Sequence, residues 1–209
     1  IRNQEQSMML TEQGMTVTIG DATNEEDMKQ CIADAKERGD IHGVLHCVGS
    51  IVIRPPHVLS KEAFEDVIST NLTSAFLALS IAGKAMLRQG NGRMVFSSSV
   101  AGSLGLVNHE AIAAAKGGIE AMVRASAATY ARRGLRINAV APGLTDTKMA
   151  SKILSSDANK EAAAQKIPIQ RISRKEEAAS AMYWLLTDAP DNLTGQVLHL
   201  DGGMANVLA

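Results

Sequence analysis

Arg93-Met94-Val95-Phe96-Ser97-Ser98-Ser99 is a short apolar run that ends in three consecutive serines. A run of this length, bounded by polar residues, is typical of a buried strand. The Ala-rich segment from residue 109 to about residue 133 has strong helix propensity and carries Lys116 near its start. The sequence therefore places a hydroxyl group at the end of a strand and an ammonium group on the helix that follows.

The spacing of these groups resembles that of the short-chain dehydrogenase/reductase family. The family pairs a serine at the end of its fifth strand with a Tyr-x-x-x-Lys motif on the next helix. In this chain Ile112 lies thirteen positions after Ser99 and four before Lys116, which is the family's spacing. The serine and the lysine are in register, and an aliphatic side chain occupies the place of the catalytic tyrosine.

Three further motifs extend the resemblance along the chain. Asn71 in Thr70-Asn71-Leu72 is similar to the family's helix asparagine, and the residues from Ala141 to Thr147 resemble its Pro-Gly-x-x-x-Thr loop. The stretch 195–203 resembles its last strand and exit. Within the family, the resemblance is to members like the 3-oxoacyl carrier-protein reductases. It implies a Rossmann-like α/β fold, a doubly wound parallel sheet with helices on both faces.

The hydrophobic pattern independently predicts a parallel sheet, because short apolar runs alternate with segments of helical period. The predicted strands are Thr16–Ile19, Gly43–Cys47, Arg93–Ser99, Leu135–Ala139 and one within 195–203. The predicted helices cover 23 to about 38, 60 to about 86, 109 to about 133, and a stretch that begins near Ser173 and carries Trp184. Predicted caps are a Thr23–Glu26 box, Ser60, Asn108 and a Ser173–Glu176 box, while Pro55-Pro56 indicates a non-helical loop. No repeat or linker is visible, so we expect one domain over residues 1–209.

The front of the chain departs from the family pattern. It does not begin with Met and contains no TGxxxGxG turn. A typical member has about thirty more residues ahead of this point, the size of one strand-turn-helix unit. In dinucleotide-binding folds that turn aims a helix N-terminus at the pyrophosphate, so the main phosphate site is not visible in this sequence.

Composition narrows the class of protein. The chain has 209 residues, a formal net charge of -1 and 45% hydrophobic residues, which suits a sizeable core and gives no excess charge for nucleic acid or an anionic membrane. The spacing of Cys31 and Cys47 suggests neither a disulfide nor a metal site. We find no apolar stretch of the roughly 18 residues that span a bilayer, and no signal peptide. These features predict a cytoplasmic protein.

Candidate ligand-binding residues follow predicted strands, at Asp21, Gly49, Ser99 and Pro142-Gly143. In an open parallel sheet the ligand lies beyond the carboxyl ends of the strands. Gly, Asp and Ser also end strands for reasons of turn chemistry alone. The register of Ser99 with Lys116 is independent of turn chemistry and favours a cofactor cleft.

The resemblance assigns roles at this edge. Asp21 and Ala22 would contact adenine, His46-Cys47-Val48-Gly49 would replace the family's Asn-Asn-Ala-Gly, and Lys116 would bind the nicotinamide ribose. Arg2 would pair with a 2'-phosphate, which favours NADP over NAD, and the alternative is a merely solvated arginine. The implied cofactor-binding residues are Arg2, Asp21, Ala22, Gly49, Lys116, Pro142, Gly143 and Thr145.

The implied reaction is NAD(P)-dependent reduction of a small carbonyl or oxidation of the alcohol, with Ser99, Lys116 and Asn71 as catalytic residues. Ile112 has no proton to give, and general acid catalysis typically contributes about 10² to 10⁴ in rate. His109 lies one helical turn before Ile112 and is the candidate proton donor, with bound water as another source. The alternative makes His109 a first-turn surface residue behind an Asn108 cap.

Two further expectations concern the whole protein. A pseudoenzyme that keeps the fold as a binding or assembly module is the competing function. The segments 60–86 and 109–133 are more apolar than one sheet contact requires, and family members commonly associate through them, so we expect a homodimer or homotetramer.

Overall fold

The computed structural model describes residues 4–208. Its α-helices are α1 Gln4–Glu12, α2 Glu25–Lys36, α3 Lys61–Ile68, α4 Ser74–Gln89, α5 Glu110–Tyr130, α6 Asp157–Ala164 and α7 Lys175–Thr187. Its strands are β1 Gly43–His46, β2 Gly92–Ser97, β3 Leu135–Pro142, β4 Thr145–Asp146, β5 Ser173–Arg174 and β6 Val197–Leu200. A π-helical turn, Ser69–Thr73, joins α3 to α4, and short 3₁₀ turns cover Pro56–Val58, Val100–Gly102, Ala131–Arg133 and Lys148–Ala150.

Four parallel strands form the main sheet in the order β1-β2-β3-β6. In register, His46 lies beside Phe96, Ser97 beside Val140, and Pro142 beside Leu200. Strands β4 and β5 form a separate parallel pair. The predicted parallel sheet is confirmed, and four of the predicted strands lie in it.

Helices cover both faces of the sheet, as the α/β prediction requires. Met94 and Phe96 of β2 pack into a buried cluster with apolar residues of α4 and α5. Val95 points to the opposite face and packs with Met182 and Leu185 of α7. Successive strand residues face opposite sides, and both sides of β2 are apolar because both are covered.

The strand predicted at Thr16–Ile19 is absent from the structure. Within residues 4–208, no strand pairs with this segment. Strand β1 is an edge strand of the main sheet and pairs with β2 alone. An apolar alternation becomes a strand only when a neighbouring strand supplies hydrogen-bond partners. The Thr18 hydroxyl instead bonds Asp34 of α2.

Helix α2 begins one residue later than predicted, so the Thr23–Glu26 capping box is wrong. Both the amide and the hydroxyl of Thr23 donate to Asp21 Oδ1. Asn24 is the N-cap, and its side-chain oxygen accepts from the amides of Glu26 and Asp27. Because the Thr23 hydroxyl is bonded to Asp21, it does not cap the helix, and Asn24 caps it instead.

Of three further predictions about turns and caps, one is confirmed and two differ from the structure. Pro56 opens a 3₁₀ turn rather than a non-helical loop, because proline at a first helical position loses no needed N–H bond. Ser60 caps α3 as predicted, through the Ala63 amide. At α7 the box partner is Glu177, which accepts from the Arg174 amide, and not Glu176.

The continuous helical stretch Lys61–Gln89 is long and apolar enough to cross a membrane, by length and composition. The expectation that no such stretch exists is therefore wrong. Within its most apolar window 44% is buried inside the protein, and α4 contacts α2, β1 and β2. Core helices and membrane spans share this composition, and the packing indicates a core helix.

Candidate active site

The carboxyl ends of the four main strands lie at one edge of the sheet, because all four are parallel. The residues that follow them carry most of the predicted site: Gly49 after β1, Ser99 after β2, and Gly143 after β3. Asp21 does not follow a strand, since the segment before it is irregular. The site is built around the ends of β1, β2 and β3.

Lys116 lies on the second turn of α5 with only 7% of its surface exposed. Its Nζ donates to the carbonyl of Ser97, the last residue of β2, at 2.8 Å. Burial lowers the pKa of Lys116 from 10.5 to about 8, because the interior solvates the ammonium poorly. No carboxylate among residues 4–208 forms an ion pair with it.

Asn71 lies inside the π-helical turn and is fully buried. Its amide nitrogen donates to the Val67 carbonyl at 2.9 Å and to the carbonyl of Ser50 at 3.2 Å. Its oxygen accepts from the Ser50 amide at 3.3 Å. A π turn breaks the regular helical bonding, and here the asparagine side chain satisfies a freed carbonyl while binding the loop after β1.

At Gly49 this loop comes close to both Asn71 of the π-helical turn and Lys116 of α5. A Cβ atom built on Gly49 would lie 2.8 Å from Asn71 Oδ1 and 3.6 Å from Lys116 Nζ. The first distance is too short for any side chain, so the close approach requires glycine. The structure thus brings Gly49, Asn71 and Lys116 together, as the predicted site needs.

Ser99 takes an extended backbone conformation and opens the 3₁₀ turn Val100–Gly102. Its Oγ accepts from the Ala101 amide at 3.2 Å, and the residue is half-buried. Since Oγ is the acceptor in this bond, the hydroxyl proton is available to donate. A donor of this kind can polarise a carbonyl oxygen.

Ile112, at the position of the family's tyrosine, is only 3% exposed. It packs in an apolar cluster with Val67, Ala101 and Ala115, and Leu106 lies against the same cluster. The position of the family's tyrosine is therefore filled by a buried aliphatic side chain that packs closely against its neighbours.

His109 is the N-cap residue of α5 and makes no capping bond through its side chain. Its Nδ1 lies 2.7 Å from the Val107 carbonyl, which can only accept, so Nδ1 carries the proton. The Asn108 cap is wrong: Asn108 adopts a left-handed conformation with φ 63°, which asparagine tolerates better than most residues. The catalytic role of His109 stays a prediction.

His46 is a buried site residue that sequence reasoning noted only as a departure from the family motif. Its Nε2 lies 3.0 Å from Ser74 Oγ, and the Ser74 hydroxyl donates to the Thr70 carbonyl. Nε2 is therefore the donor, and the buried Nδ1 has no hydrogen-bond partner. Burial, and then the charge of Lys116, lower the pKa of His46 to about 4, so the ring is neutral at pH 7.

The remaining predicted cofactor residues are held by local bonds. The amide of Gly143 donates to the Leu200 carbonyl at 2.9 Å, and Thr145 Oγ1 donates to the Gly143 carbonyl at 3.0 Å. Pro142 ends β3 beside Leu200. Asp21 and its neighbour Ala22 lie in the turn before α2. Arg2 lies outside the described residues.

A nicotinamide dinucleotide can be tested against these residues. Lys116 uses one of its three N–H donors on Ser97, and the other two are free to bind ribose hydroxyls. Gly49 leaves bare backbone beside that ammonium. These features fit the nicotinamide-ribose half of the cofactor. The described part of the chain contains no Gly-rich strand-turn-helix, so the fit does not extend to the pyrophosphate.

Comparison with known proteins gives a consistent result. The family model described as "Enoyl-(Acyl carrier protein) reductase" matches residues 2–205. The chain is 34% identical to 2-(S)-hydroxypropyl-CoM dehydrogenase 3 of Xanthobacter autotrophicus, over 97% of this chain and 83% of that protein. It is 32% identical to the same organism's inactive 2-(S)-hydroxypropyl-CoM dehydrogenase 2, over 90% of this chain and 84% of that protein.

Among solved structures, a short-chain type dehydrogenase/reductase from Mycobacterium ulcerans superposes with a TM-score of 0.85. It is 28% identical, and the match covers 90% of this chain and 69% of that one. The matched family model, these relatives and the parallel sheet with its Ser99–Lys116 edge all agree: the chain belongs to the short-chain dehydrogenase/reductase family.

Proposed function

We propose that the protein is an oxidoreductase that uses NADP, with NAD as the alternative, to interconvert a small carbonyl compound and its alcohol. The observation that carries this proposal is the buried Lys116, which faces Gly49 and Asn71 and has no carboxylate partner among the described residues. Burying an unpaired ammonium is costly unless a ligand uses it. The relatives named as dehydrogenases support the same reaction class.

Each residue has a distinct part in this reaction. When bound, the dinucleotide supplies the two-electron redox chemistry. Lys116 binds the nicotinamide ribose through its free N–H donors, and Asn71 holds the loop that carries Gly49 against it. Ser99 donates its hydroxyl proton in a hydrogen bond to the substrate oxygen, which favours negative charge on that oxygen.

The proton that completes carbonyl reduction comes from a group other than residue 112. His109 is our candidate, since it lies one turn before Ile112 and its Nδ1 proton is held by the Val107 carbonyl. That bond leaves Nε2 to exchange protons with the substrate or with a bound water.

A pseudoenzyme remains the competing function, and one observation favours it. Ile112 is packed into an apolar cluster rather than exposed at a cleft. A relative of similar identity is named as inactive, which shows that catalysis is not universal among such chains. Under this alternative the protein binds the dinucleotide or a partner without turning over substrate.

Turnover of NADPH against a panel of ketones and 3-oxoacyl thioesters separates these functions. We expect measurable reduction by the wild type and a higher kcat for Ile112→Tyr, by less than the roughly 10² to 10⁴ that general acid catalysis contributes, because His109 or a bound water already delivers a proton in the wild type. Ser99→Ala is the matched control and should lower kcat in both backgrounds. Activity that appears only in Ile112→Tyr would favour the pseudoenzyme.

We also propose a homodimer or homotetramer that forms through the outer faces of α4 and α5. Phe76 of α4 is 55% exposed and lines a surface groove of about 420 Å³ that Leu87 and Tyr130 also line. An exposed aromatic beside aliphatic groups is typical of a subunit contact.

We propose a cytoplasmic location as well. The two free cysteines, Cys31 and Cys47, support it, because disulfides are rare in the reducing cytoplasm.

A further inference from the structure

Glu120 is a buried carboxylate that the proposed reaction does not use. It lies on α5 one turn after Lys116 and is 6% exposed. Within residues 4–208, no cation pairs with it. Two serine hydroxyls satisfy it instead: Ser98 Oγ lies 2.9 Å from Oε1, and Ser103 Oγ lies 3.1 Å from Oε2. A buried charge held in this way needs those donors to stay in place.

The Ser98 bond connects Glu120 to both proposed catalytic groups. Ser98 is itself buried and immediately precedes Ser99. Its hydroxyl also lies 3.3 Å from the backbone carbonyl of Lys116. One hydroxyl therefore contacts the carboxylate and the backbone of α5 while fixing the residue next to the catalytic serine.

Close packing reinforces this junction. A Cβ atom built on Gly102 would lie 2.7 Å from Glu120 Oε1 and 3.1 Å from the Gly117 amide nitrogen. The 3₁₀ turn Val100–Gly102, which follows Ser99, therefore packs directly against α5 at Glu120. Ser99 is held from both sides, by Ser98 before it and by the packed turn after it.

The network continues to the last strand. Ser103 Oγ lies 3.0 Å from His199 Nε2, on β6. A carboxylate can only accept, so the Ser103 hydroxyl donates to Glu120 and His199 Nε2 donates to Ser103. The carboxylate thus orients two serines of the segment after β2, and Ser103 links it to His199 on β6.

We propose that Glu120 is a positioning residue that sets the distance between the Ser99 hydroxyl and the Lys116 ammonium. This inference rests on the proposed oxidoreductase function. Hydrogen bonds to an ionised acceptor are shorter and stronger than neutral ones, so the carboxylate is a firm clamp. A displacement of about 1 Å in an active site can lower the rate by 10²-fold, which makes such a clamp matter for turnover.

The test compares Glu120→Ala and Glu120→Gln with the wild-type protein. We measure kcat and KM with NADPH and the best carbonyl substrate, NADPH affinity by fluorescence titration, and modification of Lys116 by an amine-reactive reagent, read by mass spectrometry. For Glu120→Ala we expect kcat to fall by about 10- to 10²-fold with KM changed less, and modification of Lys116 to increase. Glu120→Gln keeps an acceptor for one serine and should recover most of both losses.

Asn138→Ala is the matched control for lost buried hydrogen bonds. Asn138 is buried on β3 and bonds the Leu193 carbonyl and the Gln196 amide, away from Glu120. It should lower the unfolding temperature while leaving kcat and Lys116 modification unchanged. If Glu120→Ala does not fold, Ser98→Ala replaces it and should give the same loss of kcat.

The outcomes separate the inference from the function on which it rests. Turnover by the wild type with unchanged kcat and Lys116 modification in Glu120→Ala, or in its substitute, would overturn the positioning role alone. Equal losses in that variant and in Asn138→Ala would also overturn it, because the effect would then be one of general stability. A wild type that neither binds NADPH nor reduces any carbonyl would overturn the proposed function, and this inference with it.

Discussion

At the scale of single residues, the site depends on how the protein treats one buried cation. Lys116 donates to the Ser97 carbonyl, and its Nζ lies beside the Gly49 backbone. Burial removes the ammonium from water and lowers the pKa of Lys116 to about 8, and neither neighbour carries a negative charge that would compensate. The lysine therefore reduces stability when it is charged, and a function must account for its presence.

This cost makes a prediction about stability and pH. Between pH 8 and 10.5 the unfolded chain holds the Lys116 proton and the folded protein does not, so this residue makes stability rise with pH across that window. Below pH 8 both states are protonated and the full penalty applies. Lys116→Met should therefore raise the free energy of unfolding by about 3 kcal/mol at pH 7, with the gain vanishing towards pH 10.5.

Urea unfolding at pH 7, 9 and 10.5 measures this effect. Lys84→Met, on the outer surface of α4, is the matched control and should give little change at any of these pH values. A Lys116→Met variant that is destabilised at pH 7 would show that the ammonium is satisfied in the folded protein without a ligand.

Register explains which site residues the sequence can predict. Ser99, Ile112 and Lys116 lie within one strand-helix unit, so counting along the chain relates them. Glu120 and His46 escape prediction because they belong to no motif of known spacing, and their roles come from side-chain contacts with Ser98 and Ser74. No local pattern contains those pairings.

At the scale of elements, the helices and the central strands follow from periodicity, while their ends depend on competing bonds. The helix predicted from residue 60 to about 86 is two α-helices joined by a π turn. Hydrophobic spacing does not report this turn, because one extra residue barely alters the apolar face. Asn71 lies in this turn, so the irregularity coincides with a residue of the proposed site.

Ser74, the first residue of α4, joins this irregular helix to the sheet. Its hydroxyl donates to the Thr70 carbonyl at 2.6 Å and accepts from His46 Nε2 at 3.0 Å. Ser74→Ala removes the hydrogen-bond partner of the buried His46 ring N–H, and should lower the free energy of unfolding by about 1 to 3 kcal/mol. Ser80→Ala, on the exposed side of α4, should stay within about 0.5 kcal/mol of the wild type in the same denaturation experiment. Equal effects of the two variants would contradict a structural role for the His46–Ser74 pair.

At the scale of the whole molecule, the proposed assembly explains why a helix as apolar as α4 faces outward in part. Its inner side packs into the core through small residues such as Ala78 and Ala82, while Phe76 and Ser80 remain exposed on the other side. Lys84, Arg88 and Arg133 border the same groove, so a second subunit would meet an apolar centre with a charged rim. This arrangement is common in protein interfaces.

Light scattering tests this assembly. For a chain of 22.1 kDa we expect a mass of two or four chains, since the outer faces of α4 and α5 together present the groove. Phe76→Asp places a charge in the apolar centre and should shift the mass to that of one chain, because a buried unpaired carboxylate is costly. Tyr183→Asp, at an aromatic on α7 that is 66% exposed against 55% for Phe76, should leave the mass unchanged. A single-chain mass for the wild type would contradict the assembly, and a shift in both variants would mean that the contact is not specific to α4 and α5.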